Sequence, residues 1–320
     1  EPLMQDVTAA YTGRINRFLR IPADSLALVP REGETVYLCL STRGTWVPVG
    51  YGRFEGDTVR VDNVQGDVVF RLVVCRRGRM VSLGVPFLLE KYTGAVRFFR
   101  AGEERQEAVL LQKFKEDFQA HMVGGVFEGS RSPGFEHPDT LFRIKDMPLR
   151  LCTAVRVDST KTYRYVRYFG PRGGFGNVSE VGFYSSWADT EPLKGDILGP
   201  QEGAHGSHSY FNVFDGHTDT SYDHPFDYGG WAGLDLGEKN AIGKIVYTPR
   251  NRDNFVRKDD LYELLVCHGG EWKSAGTPVA QSDSLLFRNI PKHALLLLRD
   301  LSRGEAERLF EYKDGVQKYW

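Results

Sequence analysis

Residues 214–237 read FDGHTDTSYDHPFDYGGWAGLDLG, a tight oxygen-rich loop joined directly to an apolar strand. Asp215, Thr218, Asp219, Thr220 and Asp223 crowd carboxylate and hydroxyl oxygens into one short segment, and Gly216 permits the backbone to curve through it. A hard cation such as calcium takes oxygen ligands of this kind from a curved backbone. Asp, Gly, Ser and Thr also dominate ordinary surface turns, because their side chains bond their own backbone. Composition alone therefore leaves a cation loop and a plain turn both open.

The strand after the loop narrows the choice. Trp231 opens an apolar run that ends in Asp235, Leu236 and Gly237. Together with Asp215, Gly216 and Thr220, these residues resemble the signature of discoidin-like domains, the coagulation-factor C-type sandwich that includes the family 32 carbohydrate-binding modules. The resemblance implies a jelly-roll β-sandwich whose Asp-Gly-x-x-x-Thr loop holds a structural calcium ion. It implies as ligands Asp215, His217 through its carbonyl, Thr220, and a Glu from a distant strand, the place occupied here by Glu180 in Asn-Val-Ser-Glu-Val. The chain departs from the family at His217, where Asp or Asn is frequent. From the residues alone, Glu180 is equally an exposed strand position alternating with Val178 and Val181.

Sugar recognition needs an aromatic face for the apolar side of a pyranose and planar side chains for its hydroxyls. Two stretches supply the mixture. Residues 222–228, YDHPFDY, set Tyr222, Phe226 and Tyr228 among Asp223, His224 and Asp227; residues 250–255, RNRDNF, come just after the expected strand at 244–248. Tyr222, His224, Arg250, Asn251, Asp253 and Asn254 are thus the candidate glycan contacts. The alternative for the first stretch is core or rim packing of its rings, and for the second a loop that locks itself through ion pairs and side-chain-to-backbone bonds. Trp231 and Trp272 fall inside or beside strand patterns and are expected in the core. His205 and His208, three apart in a Gly/Ser loop, lack a third metal ligand at clear spacing.

The rest of the chain is patterned for antiparallel β-structure. Short β-branched and aromatic runs, among them 35–40, 46–49, 58–61, 67–74, 81–89 and 95–99, are broken by Gly, Asp, Asn or Pro, the texture of sandwiches. The segment 103–122 admits either a helix, with Leu110, Phe114 and Phe118 at four-residue spacing, or a strand and then a short helix. These signals predict an all-β chain of two antiparallel sandwich regions, 1–120 and 121–320, the second discoidin-like. Residues 163–184, YRYVRYFGPRGGFGNVSEVGFY, are similar to the closing strands of such a domain, yet they precede the Asp215 loop, and 295–312 ends the chain instead. That order points to a circularly permuted sandwich or to two related units. Residues 45–70, TWVPVGYGRFEGDTVRVDNVQGDVVF, resemble accessory β-domains of secreted bacterial transglutaminase-like proteins.

Composition removes other classes. The 320 residues carry 41 Lys+Arg against 42 Asp+Glu, a balance that gives no reason to expect nucleic acid as partner. No apolar run is long enough to span a membrane as a helix. Cys39, Cys75, Cys152 and Cys267 lack metal spacing, sit in strand-like runs and are expected as buried free thiols. None has the loop-to-helix setting of a thiol nucleophile, and no GxSxG, HExxH, phosphate-loop or dinucleotide motif occurs. Catalysis within the chain is not expected. The expected function is extracytoplasmic, non-catalytic binding of a glycan, supported by calcium. The competing expectation is an accessory scaffold of a larger secreted enzyme, transglutaminase-like or glycoside-hydrolysing, whose catalytic domain lies upstream; protein–protein adhesion is a third.

Overall fold

The computed structural model describes residues 16–158, 160–203, 205–304 and 308–320. The chain is all-β, built from antiparallel sheets with a few short 3-10 turns and no α-helix among the described residues. It divides into two compact units, one made of the described residues up to Lys115 together with Val256–Trp320, the other of Glu116–Phe255.

The first unit opens with β1 (Asn16–Pro22), β2 (Thr35–Thr42), β3 (Thr45–Glu55), β4 (Thr58–Gln65), β5 (Val68–Arg76), β6 (Arg79–Ser82), β7 (Phe87–Leu89), β8 (Val96–Phe98) and β9 (Arg105–Leu110). Strands β1 to β8 form one sheet in the order β1-β4-β3-β2-β5-β7-β8, with β6 on β5. Alternation decides which side is buried. In β4, Val59 and Val61 are buried while Arg60 and Asp62 face water, the period-2 signature of a sheet with one solvated face. The inward residues, among them Leu19, Ile21, Val36, Phe54, Leu72 and Phe87, make the first core. The ambiguous segment 103–122 resolves into strand β9 and a 3-10 turn at Phe118–Met122.

The second unit comprises β10 (Val126–Ser130), β11 (Asp139–Arg143), β12 (Thr153–Arg156), β13 (Thr162–Phe169), β14 (Glu180–Tyr184), β15 (Asp196–Leu198), β16 (Trp231–Ala241) and β17 (Lys244–Thr248). A five-stranded sheet, β11-β10-β13-β16-β15, and a three-stranded sheet, β12-β17-β14, share one core. Phe127 of β10 joins them. Its ring centroid lies 5.3 Å from Tyr168 and 6.4 Å from Phe142 on its own sheet, and 5.3 Å from Tyr247 and 6.2 Å from Phe183 on the other.

The chain then returns to the first unit through β18 (Tyr262–His268), β19 (Glu271–Gly276), β20 (Leu285–Pro291), β21 (Leu296–Asp300), β22 (Leu309–Lys313) and β23 (Val316–Tyr319). The expected second region, 121–320, is therefore shared between the two units, and 295–312 strengthens the first rather than closing the second; residues 305–307 of that stretch lie outside the described residues. Two contacts explain the return. Strand β20 pairs with β9 from Leu285↔Leu110 to Pro291↔Arg105. The buried Lys113 ammonium meets the buried Asp300 carboxylate at 3.4 Å. Trp272, expected in the core, is half-buried and stacks parallel to Trp46 at 5.8 Å. All four cysteines are free, but only Cys39 and Cys267 are buried; Cys75 and Cys152 are exposed. Burial pushes the Cys39 thiol up to about 11 and Cys267 to about 12, which makes both inert.

Candidate functional site

The Asp215 loop leaves a 3-10 turn, Tyr210–Phe214, whose Tyr210 and Val213 are anchored in the core. Gly216 takes φ +82° and turns the chain back on itself. Asp215 Oδ1 accepts the His217 amide at 2.8 Å, and Thr220 Oγ1 lies 2.9 Å from both Asp215 Oδ2 and the His217 carbonyl. From the start of β14, Glu180 Oε1 accepts the Gly216 amide at 2.8 Å. The four residues implied as calcium ligands, Glu180, Asp215, His217 and Thr220, are thus gathered around one loop.

Two carboxylates meet there at a cost. Burial, then the hydrogen bond and charge of Asp215, push the Glu180 carboxyl up from 4.5 to about 8. The donor set is two carboxylates, one hydroxyl and one carbonyl, all oxygen, and it suits a hard divalent cation that would offset the repulsion. Among the described residues no group of three His, Cys, Asp or Glu side chains converges; this set counts two such side chains and completes itself with Thr220 and a backbone oxygen. His205 and His208 are both exposed, and His208 Nδ1 lies 3.2 Å from Ser221 Oγ.

The raised Glu180 carboxyl sets a pH dependence. The folded unit holds a proton that the unfolded chain releases, so this group's contribution is complete below 4.5 and is lost as pH rises through about 8. With chelator present, the melting temperature is expected to fall across that window, and Glu180→Gln to flatten the fall. Calcium should reverse it for the wild type and leave Glu180→Gln unmoved. Identical wild-type melts with calcium and with chelator at pH 8 would show that the loop holds no cation.

The candidate glycan contacts are placed differently from the expectation. Tyr222 is fully buried, because its backbone pairs with Val178 and its ring enters the core beside Tyr210, 6.3 Å away. Its hydroxyl lies 2.9 Å from His224 Nδ1, and His224 is buried with it. Neither offers a face to a ligand. Asn251 is also buried; its Nδ2 donates to the Thr218 and Pro249 carbonyls at 2.8 and 3.0 Å, and its Oδ1 accepts the Asp253 amide at 2.8 Å. Asp253 and Asn254 are enclosed in the same loop. Asn251 locks this loop to itself and, through Thr218, holds the Asp215 loop in place, whereas the buried Asn254 side-chain amide has no hydrogen-bond partner among the described residues.

Arg250 reaches further. Its Nη1 donates to Asp223 Oδ2 at 2.6 Å and to Asn177 Oδ1 at 3.4 Å, and Asn177 Nδ2 donates to the other Asp223 oxygen at 2.7 Å. The Arg250 guanidinium lies over the Phe118 ring at 4.4 Å, joined by the exposed Arg252 at 4.7 Å. His121 Nδ1 lies 3.3 Å from Asn177 Oδ1. This network keeps the Asp223 side chain 34% exposed with a fixed geometry.

Three accessible aromatic rings, Phe175, Phe226 and Tyr228, stand on two loops zipped together by Gly173 N to Asp227 O at 2.6 Å and His224 N to Phe175 O at 2.7 Å; Trp187 and Phe211 are exposed elsewhere in the unit. Phe226 is 49% exposed, Tyr228 57% and Phe175 36%. Phe226 and Tyr228 stack at 6.0 Å with 23° between their planes, and Arg172 lies 5.9 Å from the Tyr228 ring. Phe226 and Tyr228 belong to the stretch the sequence singled out. Phe118, His121, Phe175 and Asn177 were missed, since topology alone brings their segments to residues 222–230. Trp231, expected in the core, is half-buried against Phe135 and Arg167.

Comparison with known proteins found no match to a family model, to a curated protein or to a solved structure.

Proposed function

We propose that the chain binds carbohydrate outside the cytoplasm, through its second unit and without catalysis. The carrying observation is the exposed Phe226–Tyr228 pair in a unit whose loops also carry a polar edge of Asp223, His121 and Arg252, with the buried Asn177 holding Asp223 and His121 in place. A stacked ring pair offers an apolar platform to one face of a pyranose. The neighbouring carboxylate, imidazole and guanidinium groups supply directed partners for hydroxyls. In this reading residues 116–255 are the discoidin-like jelly-roll sandwich. Calcium held by Glu180, Asp215, His217 and Thr220 fixes the loop before ligand arrives and lowers the ordering cost of binding.

A glycan array probed with the purified chain is expected to give selective hits. Phe226→Ala and Tyr228→Ala should each weaken a hit roughly tenfold, about 1.4 kcal/mol, with unchanged melting because both rings are exposed. Hits that survive both substitutions would place sugar binding elsewhere. A blank array from folded, calcium-loaded protein would reject carbohydrate as the ligand.

A further inference from the structure

In the first unit, three arginines face one another across three neighbouring strands. Arg20 of β1 is directly opposite Arg60 of β4, and Arg60 is directly opposite Arg53 of β3. The residues around them, Leu19, Ile21, Val59, Val61 and Phe54, are buried, so the arginines share the solvent face of the sheet. Like charges directly opposite in an antiparallel pair are destabilising. Asp62 Oδ1 accepts Arg60 Nε at 3.1 Å, whereas neither Arg20 nor Arg53 has a carboxylate partner among the described residues. Glu55, two residues beyond Arg53, is the other acid on this part of β3. In the opposite direction along β3 stands Tyr51, 67% exposed and directly across from Tyr37 of β2.

We propose that this face binds an acidic polysaccharide carrying one carboxylate or sulfate per sugar. Neighbouring strands lie about 4.8 Å apart, which is close to the advance of one pyranose along an extended chain. Successive guanidiniums therefore lie at about the spacing of successive acid groups, with Arg20 and Arg53 placed to take planar, two-bond contacts on either side of the Asp62-paired Arg60. Tyr51 beside Arg53 supplies an aromatic surface for a neighbouring ring. The chain's net charge of -1 gives no long-range pull toward a dense polyanion, and duplex DNA packs one phosphate per about 1.7 Å of axis, far tighter than the arginine row. The proposal is independent of the reading given for residues 116–255, which lie in the other unit.

The test uses the full chain with polygalacturonate and chondroitin 4-sulfate, each averaging one acid group per sugar, as probes, and neutral dextran and single-stranded DNA as comparisons. Both acidic polysaccharides are expected to bind at low salt. The double variant Arg20→Gln/Arg53→Gln should bind at least tenfold more weakly, with a shallower salt dependence and a melting temperature equal to or above wild type. Phe226→Ala, Tyr228→Ala and chelator should leave this binding unchanged, which separates it from the sugar site of the second unit. Equal binding by wild type and the double variant would overturn the proposal, as would dextran binding as well as the acidic polymers. DNA binding more tightly than either polysaccharide would overturn the choice of partner.

Discussion

Asp300→Ala is expected to cost the first unit about 3–5 kcal/mol, the usual penalty for removing one partner of a buried ion pair. Asp300 and Lys113 are both buried, with their charged atoms 3.4 Å apart. Asp300 also accepts the Ser302 and Arg303 amides through Oδ1, both at 3.0 Å, so the substitution loosens the end of β21 as well. At roughly 2–4 °C per kcal/mol for a domain of this size, thermal melting should show a drop of about 6–20 °C. Hydrogen exchange should assign the loss to β9, β20 and β21. An unshifted melt would mean that residues 256–320 are not held to the first unit through this pair.

The second large effect is Phe127→Ala, expected to cost about 3–5 kcal/mol, the range for truncating a buried aromatic ring. Phe127 is fully buried and touches rings of both sheets of the second unit, so its removal leaves a cavity where the sheets meet. Neighbouring rings are themselves packed on rigid strands and cannot collapse into the gap. Phe127→Leu should recover about half of the loss. Because Tyr222, which precedes the loop carrying Phe226 and Tyr228, packs in this core, the sugar binding proposed for that loop should weaken in Phe127→Ala in step with its stability. Full stability in Phe127→Ala would contradict a shared core between the sheets.

Strands were legible in the sequence where burial imposes alternation, as in Val59, Arg60, Val61 and Asp62 of β4. The tight turn of the Asp215 loop was legible because Asp215, Gly216 and Thr220 are local in sequence; Glu180 reaches it from a separate strand. Two things were not legible, for different reasons. The return of 256–320 to the first unit depends on β9 meeting β20 across a long sequence separation, and nothing local marks that pairing. In residues 222–228 the inward turn of Tyr222 and His224 and the outward placement of Phe226 and Tyr228 arise from the bridge to Val178 and the zipping to 173–175. An irregular loop carries no period from which to read that division. Arg250, expected as a candidate glycan contact, is buried, and its partners Asp223, Asn177 and Phe118 come from three separate segments that no local pattern joins.

Carbohydrate binding at the Phe226–Tyr228 pair is tested most sharply by calorimetric titration of one array-identified glycan into calcium-loaded wild type and into Phe226→Ala/Tyr228→Ala. Saturable binding is expected for the wild type, with at least a tenfold loss in the double variant at unchanged melting temperature. Equal binding by the two proteins would refute the assignment.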